Sequence, residues 1–124
     1  MNEYTLRCWY DIFKNNNELV EIRILDPETK RSYSGYFTDI ETILKEVKKY
    51  ERSNLYFTLN VIDPACYSRE QHDKISTRPK STTSDNEIIA RKWCLIDIDC
   101  EKPSDTNSTD EEKELAKDVV NKVY

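Results

Sequence analysis

The chain has 124 residues, which is enough for one domain with a modest core and too few for two full domains. Charged residues make up 35% of the chain and glycine occurs once, so the surface is heavily charged and the glycine-rich loops of Walker-type and dinucleotide-binding sites are excluded. The net charge of -5 argues against a protein that grips nucleic acid through bulk positive potential, although it is compatible with a local basic patch.

The cysteines and the single histidine do not form a metal-binding pattern. Cys8, Cys66, Cys94 and Cys100 show no C-x-x-C spacing, and only His72 could join them, which does not fit a zinc module. The N-terminus has no apolar stretch of signal-peptide length, and no run approaches the ~20 apolar residues that span a bilayer. We therefore expect a cytoplasmic protein with reduced thiols and no membrane partner.

The residue pattern in the first half of the chain predicts a hairpin followed by a helix. Residues 19–25 (LVEIRIL) alternate apolar and charged residues, as a half-buried strand does, and residues 34–38 are the expected partner strand. Thr38 and Glu41 match a capping box, and the apolar residues that follow recur at helical spacing. The pattern therefore predicts an N-terminal hairpin and then a helix over residues 39–50.

The second half predicts two strands, a long loop and a final helix. Residues 54–62 (NLYFTLNVI) are aromatic and β-branched enough for a central strand, whereas residues 68–86 are polar and predict a mobile loop that begins with a short helix. An apolar run at 91–100 predicts the next strand, and Thr109 with Glu112 forms a second capping box that opens the last helix. The fold class expected is α/β (α+β), a small mixed sheet with helices packed on it.

Residues 91–100 (RKWCLIDIDC) are the most informative segment, because a strand here carries two carboxylates two residues apart. Successive side chains of a strand point to opposite faces, so Asp97 and Asp99 would share a face with Cα atoms about 6.6 Å apart. That separation suits one or two divalent cations, and the hard carboxylate oxygens suit Mg or Mn. The alternative is that the two acids end a strand and cap a turn.

The two basic residues at the start of this segment are candidates for contact with a nucleotide or DNA. Arg91 and Lys92 would open the acid-bearing strand, where they could approach phosphate groups or a template. The alternative is that both side chains are solvated, as basic residues at a strand entrance commonly are.

An ordered series of segments resembles the N-terminal region of phage and plasmid primase-polymerases, which belong to the archaeo-eukaryotic primase superfamily. The resemblance covers roughly residues 34–124, and its strongest element is the R-x-W-x-x-I-D-I-D run with the lysine-proline that follows it. The matching segments, in order, are Gly35-Tyr36-Phe37, Leu55 to Val61, Arg91 to Asp99, Lys102-Pro103-Ser104 and Thr109 to Glu112.

This resemblance implies a nucleotidyltransferase, a DNA primase/polymerase that makes or extends primers on a DNA template from nucleoside triphosphates. It gives Asp97 and Asp99 the catalytic role of holding the Mg or Mn ion that binds the triphosphate. The family's later serine-x-histidine element and third acid are not found in the sequence, and His72 precedes the acid pair. We therefore expect residues 1–124 to be the N-terminal portion of a single, truncated primase-polymerase domain, inactive as this fragment, with a downstream helicase domain or replication protein as a partner.

Two other functions fit parts of the same evidence. One is a non-catalytic module that binds a nucleotide or DNA without turnover. The other is a fragment of a glycosyltransferase with a D-x-D motif, in which the acid pair would hold a sugar nucleotide through manganese. The primase-like flanking segments disfavour the glycosyltransferase.

Overall fold

The computed structural model describes residues 2–98 and 109–123, and the chain divides into two compact units between Trp93 and Cys94. The first unit holds a small sheet with helices on one face, and the second contains a helix near the end of the chain. The predicted α+β class is confirmed. In the part of the chain that the structure describes, no helix combines the length and the apolar character needed to cross a membrane.

The first unit begins with a helix, α1 (Glu3–Phe13), in a part of the chain for which no element was predicted. Asn2 caps it, because its side-chain oxygen accepts a hydrogen bond from Tyr4 N at 2.9 Å. Leu6 and Tyr10 lie four residues apart and are both buried, so one face of α1 packs into the core. The prediction missed this helix although its apolar residues follow helical spacing.

The expected hairpin is present and forms the centre of an antiparallel sheet. Strand β1 (Val20–Leu25) pairs with β2 (Ser32–Phe37), and β3 (Asn54–Phe57) pairs with the other side of β1, which gives the order β2-β1-β3. The central strand is therefore β1. The predicted central strand over residues 54–62 is wrong in this respect, because β3 lies at the edge of this sheet among the described residues and ends at Phe57.

Helix α2 (Ile40–Val47) continues as a 3-10 turn over Lys48–Tyr50, close to the predicted helix over 39–50. Its cap is Asp39 and not the predicted Thr38: an Asp39 carboxylate oxygen accepts from Thr42 N at 3.1 Å. Both helices cover the face of the sheet that carries alternate apolar residues of β1. The main buried cluster comprises Leu6, Tyr10, Val20, Ile22, Ile24, Phe37, Ile43, Leu44 and Val47.

A second antiparallel pair joins β4 (Val61–Ile62) to β5 (Ile88–Ala90). A 3-10 turn over Pro64–Ser68 follows β4, and Cys66 packs with Leu19, Tyr36 and Ile62 in a smaller buried cluster. The predicted strand over 54–62 thus divides between two sheets. The short helix predicted at the start of the 68–86 loop is instead this turn, which ends where that loop begins.

Part of the long polar segment lies against the outer edge of β2. The backbones of Ser34 and Ser76 exchange two hydrogen bonds, at 3.2 and 2.8 Å, beside the outer edge of β2. Lys74 passes so close to Gly35 that a Cβ atom there would collide with the Lys74 carbonyl. The position of the only glycine in the sequence is therefore explained by a close approach of two backbone segments.

The second unit contains α3 (Asp110–Val123), and the predicted capping box that opens it is present. Thr109 N donates to Glu112 Oε1 at 2.9 Å, and Glu112 N donates to Thr109 Oγ1 at 3.2 Å. Leu115, Val119 and Val120 lie on α3 with exposed side chains.

Candidate functional site

The acid-bearing segment does not form the predicted strand in its described part. Strand β5 ends at Ala90, and residues 91–98 have no regular secondary structure. The ladder stops there because the partner strand, β4, is only two residues long and its pairing with β5 contains a register shift. Side chains alternate between two faces only within a strand, so this rule does not support the prediction that the two acids share a face.

Asp97 is exposed, and Asp99 lies outside the described residues. Residues 2–98 and 109–123 contain no group of three or more His, Cys, Asp and Glu side chains able to hold a metal ion. A carboxylate is nevertheless the donor that Mg and Mn prefer, so the chemistry of Asp97 fits such an ion. The assignment of Asp97 and Asp99 as metal-binding, catalytic residues remains a prediction.

The residue four positions before Asp97 is firmly attached to the first unit. Asn60 Nδ2 donates to the Trp93 carbonyl at 3.0 Å, and Trp93 N donates to Asn60 Oδ1 at 2.8 Å. The ring of Phe13 meets the Trp93 indole edge to face, with ring centres 4.9 Å apart. This role of Asn60 was not predicted, because a side-chain amide that takes the place of a strand partner leaves no pattern in the sequence.

The two basic candidates differ in their surroundings. Arg91 is exposed, whereas Lys92 Nζ lies 3.6 Å from the carboxylate of Glu18 with about half of its side chain exposed. Glu18 also binds Lys14, whose side chain is fully buried and whose Nζ donates to Glu18 Oε2 at 3.1 Å and to the Leu59 carbonyl at 3.2 Å. Burial lowers the pKa of Lys14 despite the hydrogen bond to Glu18. Lys14 and Lys92, the latter at the start of the acid-bearing segment, thus share the Glu18 carboxylate.

A second polar arrangement lies on the face of the sheet opposite the helices. Glu21 on the central strand is fully buried, and four donors saturate its carboxylate. Ser34 Oγ donates to Oε1 at 2.7 Å, Thr83 N donates to Oε2 at 2.9 Å, and Arg23 donates from Nε and Nη2 at 2.9 and 3.2 Å. Burial alone would raise the pKa of Glu21, but the hydrogen bonds from Arg23, Thr83 and Ser34 outweigh it and hold the pKa below its ordinary value.

Beside Glu21 and Arg23 is a cavity of about 290 Å³, here called the sheet-face cavity. Its lining includes Arg23, Tyr56, Thr58, Thr83, Ser84 and Asp85. The alternating pattern of residues 19–25 predicted a half-buried strand and gave no indication of this cavity. The only signal in the sequence was a pair of opposite charges two residues apart on one strand face.

Comparison of the chain with protein-family models, with curated proteins and with solved structures finds no match.

Proposed function

We propose that this chain is part of a DNA primase/polymerase, which makes or extends primers by metal-dependent nucleotidyl transfer during replication of phage or mobile-element DNA in the cytoplasm. The observation that carries the proposal is the R-x-W-x-x-I-D-I-D run, which puts two acids two residues apart after an anchored tryptophan. Its expected partners are nucleoside triphosphates, a DNA template and a downstream helicase domain or replication protein.

Each candidate residue has a distinct part in this proposal. Asp97 and Asp99 hold the divalent ion, which when bound neutralises triphosphate charge and positions the attacking hydroxyl. Arg91 and Lys92 approach the phosphates or the template, and their exposure leaves them accessible to either. The hydrogen bonds between Asn60 and Trp93 hold the start of the acid-bearing segment in place.

Calorimetric titration with Mn²⁺ tests the metal site directly. We expect weak binding by the wild-type chain, because two carboxylates leave most of the coordination to water, and loss of that binding in the double variant Asp97→Asn with Asp99→Asn. The matched control is Glu111→Gln with Asp118→Asn, which removes the same charge from exposed positions of α3. Binding that persists unchanged in the Asp97 and Asp99 variant would remove both residues from the site.

Template-dependent incorporation of labelled nucleotide in the presence of manganese tests the activity. We expect none from residues 1–124 alone, because the histidine and third acid of the family's site are not among these residues, and loss of one charge-stabilising group typically reduces such rates by about 10²- to 10³-fold. Incorporation that disappears in Asp97→Ala would show that this chain carries the chemistry by itself. Incorporation that survives the substitution would exclude Asp97 from it.

The alternative is a module that binds a nucleotide or DNA without turnover. The sheet-face cavity favours it, because aromatic and polar groups converge there without any need for a metal ion. Nucleotide binding that is equally strong in manganese and in EDTA, with no incorporation in any condition, is the result that would favour this alternative.

A further inference from the structure

The sheet-face cavity places an aromatic ring and a guanidinium side by side. Arg23 on β1 and Tyr56 on β3 are direct partners across the strand pair, so their side chains extend from the same face of the sheet. About half of Tyr56 is exposed, at 53%, although it belongs to a strand of the main sheet. Aromatic rings and Arg guanidinium planes are the surfaces on which proteins stack unpaired bases.

The guanidinium is held in a fixed position. Arg23 forms a forked pair with Glu21, and Nη2 also donates to the Thr83 carbonyl at 2.8 Å. All four hydrogen bonds to Glu21 come from within the first unit, so its carboxylate is occupied with holding Arg23 and the loop at Thr83. Arg23 Nη1 makes no hydrogen bond to the described residues and lies on a side chain that is 40% exposed.

The charges that line the cavity disfavour a phosphate group as the ligand. Glu21 and Asp85 are acidic and Arg23 is the one basic residue in the lining, so the acids are in excess. The Asp85 carboxylate and the Tyr56 hydroxyl make no hydrogen bond to the described residues. Carboxylates accept well from the exocyclic amino group of a base such as cytosine. A cavity of about 290 Å³ is at the small end of ligand pockets, which suits one planar group.

We propose that the sheet-face cavity binds a single unpaired nucleobase that carries an exocyclic amino group. The base stacks on the surface formed by Tyr56 and Arg23, and its amino group donates to Asp85. This base belongs either to a free nucleotide or to an unpaired position of a DNA strand. The inference rests on the proposed function for its biological setting, but the contacts themselves need neither a metal ion nor Asp97 and Asp99.

Titration with cytidine and uridine compares a base that carries an amino group at C4 with one that carries a carbonyl at C4 and a hydrogen on N3. The sugar is the same in both and phosphate is absent, so the difference in affinity reports on the base. The measurement is the shift of the backbone amide signals of Thr58, Thr83 and Ser84 in nitrogen-15 correlation spectra, recorded in EDTA. We expect cytidine to bind about tenfold more tightly than uridine, and Asp85→Asn to abolish that difference. Tyr56→Ala should weaken both nucleosides by about tenfold or more, since stacking is lost.

Tyr4→Ala is the matched control, because its ring is 74% exposed on α1 and does not line the cavity. The same spectra show whether each variant is folded. Equal affinities for cytidine and uridine, or unchanged binding by Tyr56→Ala, would overturn the proposal. So would the absence of amide shifts with both nucleosides and with a single-stranded cytosine oligonucleotide.

Comparison of two further ligands, a single-stranded oligonucleotide and cytidine triphosphate, shows whether the bound base comes from a DNA strand or from a free nucleotide. Tighter binding of the single-stranded oligonucleotide than of cytidine triphosphate, lost when the oligonucleotide is abasic, supports a base from a DNA strand. The reverse order supports the base of a free nucleotide. The variant Asp97→Asn with Asp99→Asn should retain nucleoside binding in EDTA, so a failed metal site and a failed base site are distinguishable.

Discussion

The side-chain amide of Asn60 acts as a strand partner for the backbone of Trp93, donating at 3.0 Å and accepting at 2.8 Å. We expect Asn60→Ala to reduce the free energy of unfolding by about 1–2 kcal/mol, because two hydrogen bonds are lost at a partly buried position. Urea denaturation measures this value. Asn54→Ala is the control, since Asn54 is exposed at the start of β3. Equal effects of the two substitutions would contradict a structural role for the Asn60 amide.

The same hydrogen bonds should protect the backbone amide of Trp93 from exchange with solvent. In Asn60→Ala, we expect the amide of Trp93 to exchange its hydrogen with solvent faster than in the wild type, because it loses its acceptor. Unchanged exchange at Trp93 in a folded variant would show that the contact with Phe13 alone holds the segment.

Removal of the buried carboxylate on the central strand should be far more costly. Glu21→Ala leaves Ser34, Thr83 and Arg23 without their shared acceptor, and we expect a loss of about 3 kcal/mol or more. Glu28→Ala is the control, because Glu28 is exposed in the turn between β1 and β2. A loss below about 1 kcal/mol for Glu21→Ala would show that water replaces the carboxylate.

Stability should also depend on the ionisation of Glu21. Its pKa is lower in the folded than in the unfolded chain, so its stabilising contribution is complete above the ordinary pKa of a glutamate, ~4.3, and is lost as pH falls through the folded value. The difference in unfolding free energy between the wild type and Glu21→Gln should therefore shrink as pH falls below about 4. A difference that stays constant from pH 7 to pH 3 would contradict the lowered pKa.

Substitutions of Glu18 and of Lys14 should lower the free energy of unfolding by different amounts. Glu18→Gln leaves the buried Lys14 ammonium without its carboxylate, whereas Lys14→Met leaves Glu18 with Lys92 still 3.6 Å away. We expect Glu18→Gln to lower the unfolding free energy by about 3 kcal/mol and Lys14→Met to lower it by less, because only the first leaves a buried charge unpaired. Chemical denaturation of both variants at pH 7 is the measurement. The opposite order would show that water already reaches Lys14.

The capping box of α3 gives a prediction for the second unit alone. Thr109→Ala removes the oxygen that accepts from Glu112 N, and we expect a loss of about 1 kcal/mol in helix stability. Circular dichroism should show less helix, and amide exchange should be faster in the first turn of α3. Thr77→Ala, at an exposed position of the first unit, should change neither observation.

Local patterns predicted part of this fold well. The alternation of residues 19–25 and the Thr109 and Glu112 pair each depend on neighbours a few residues apart, and both appear as expected. The division of residues 54–62 between two sheets was not predictable, because it depends on β1 and β5, which lie far away in sequence. The strand predicted over 91–100 fails in its described part for the same reason: an apolar run needs a partner strand, and β4 is too short to provide one.

The candidate site divides in the same way. The acid pair was predicted from its spacing along an expected strand. The structure shows no strand at Asp97, so its role as a metal ligand stays a prediction. The sheet-face cavity depends on Thr83, which is more than 60 residues away from Glu21 in the sequence and donates to it through the backbone. A backbone donor carries no residue-type signal, so no pattern in the sequence could have placed the loop against that carboxylate.

The contact at Gly35 has a consequence for how this sequence can vary over evolutionary time. Two backbone segments meet there directly, so this contact depends on the missing Cβ of Gly35 and not on the side chain of Lys74. Related sequences should therefore keep glycine at this position while exposed residues of the segment, such as Thr77 and Arg78, change freely. The exposed residues of this segment can therefore change while its backbone contact with β2 is kept.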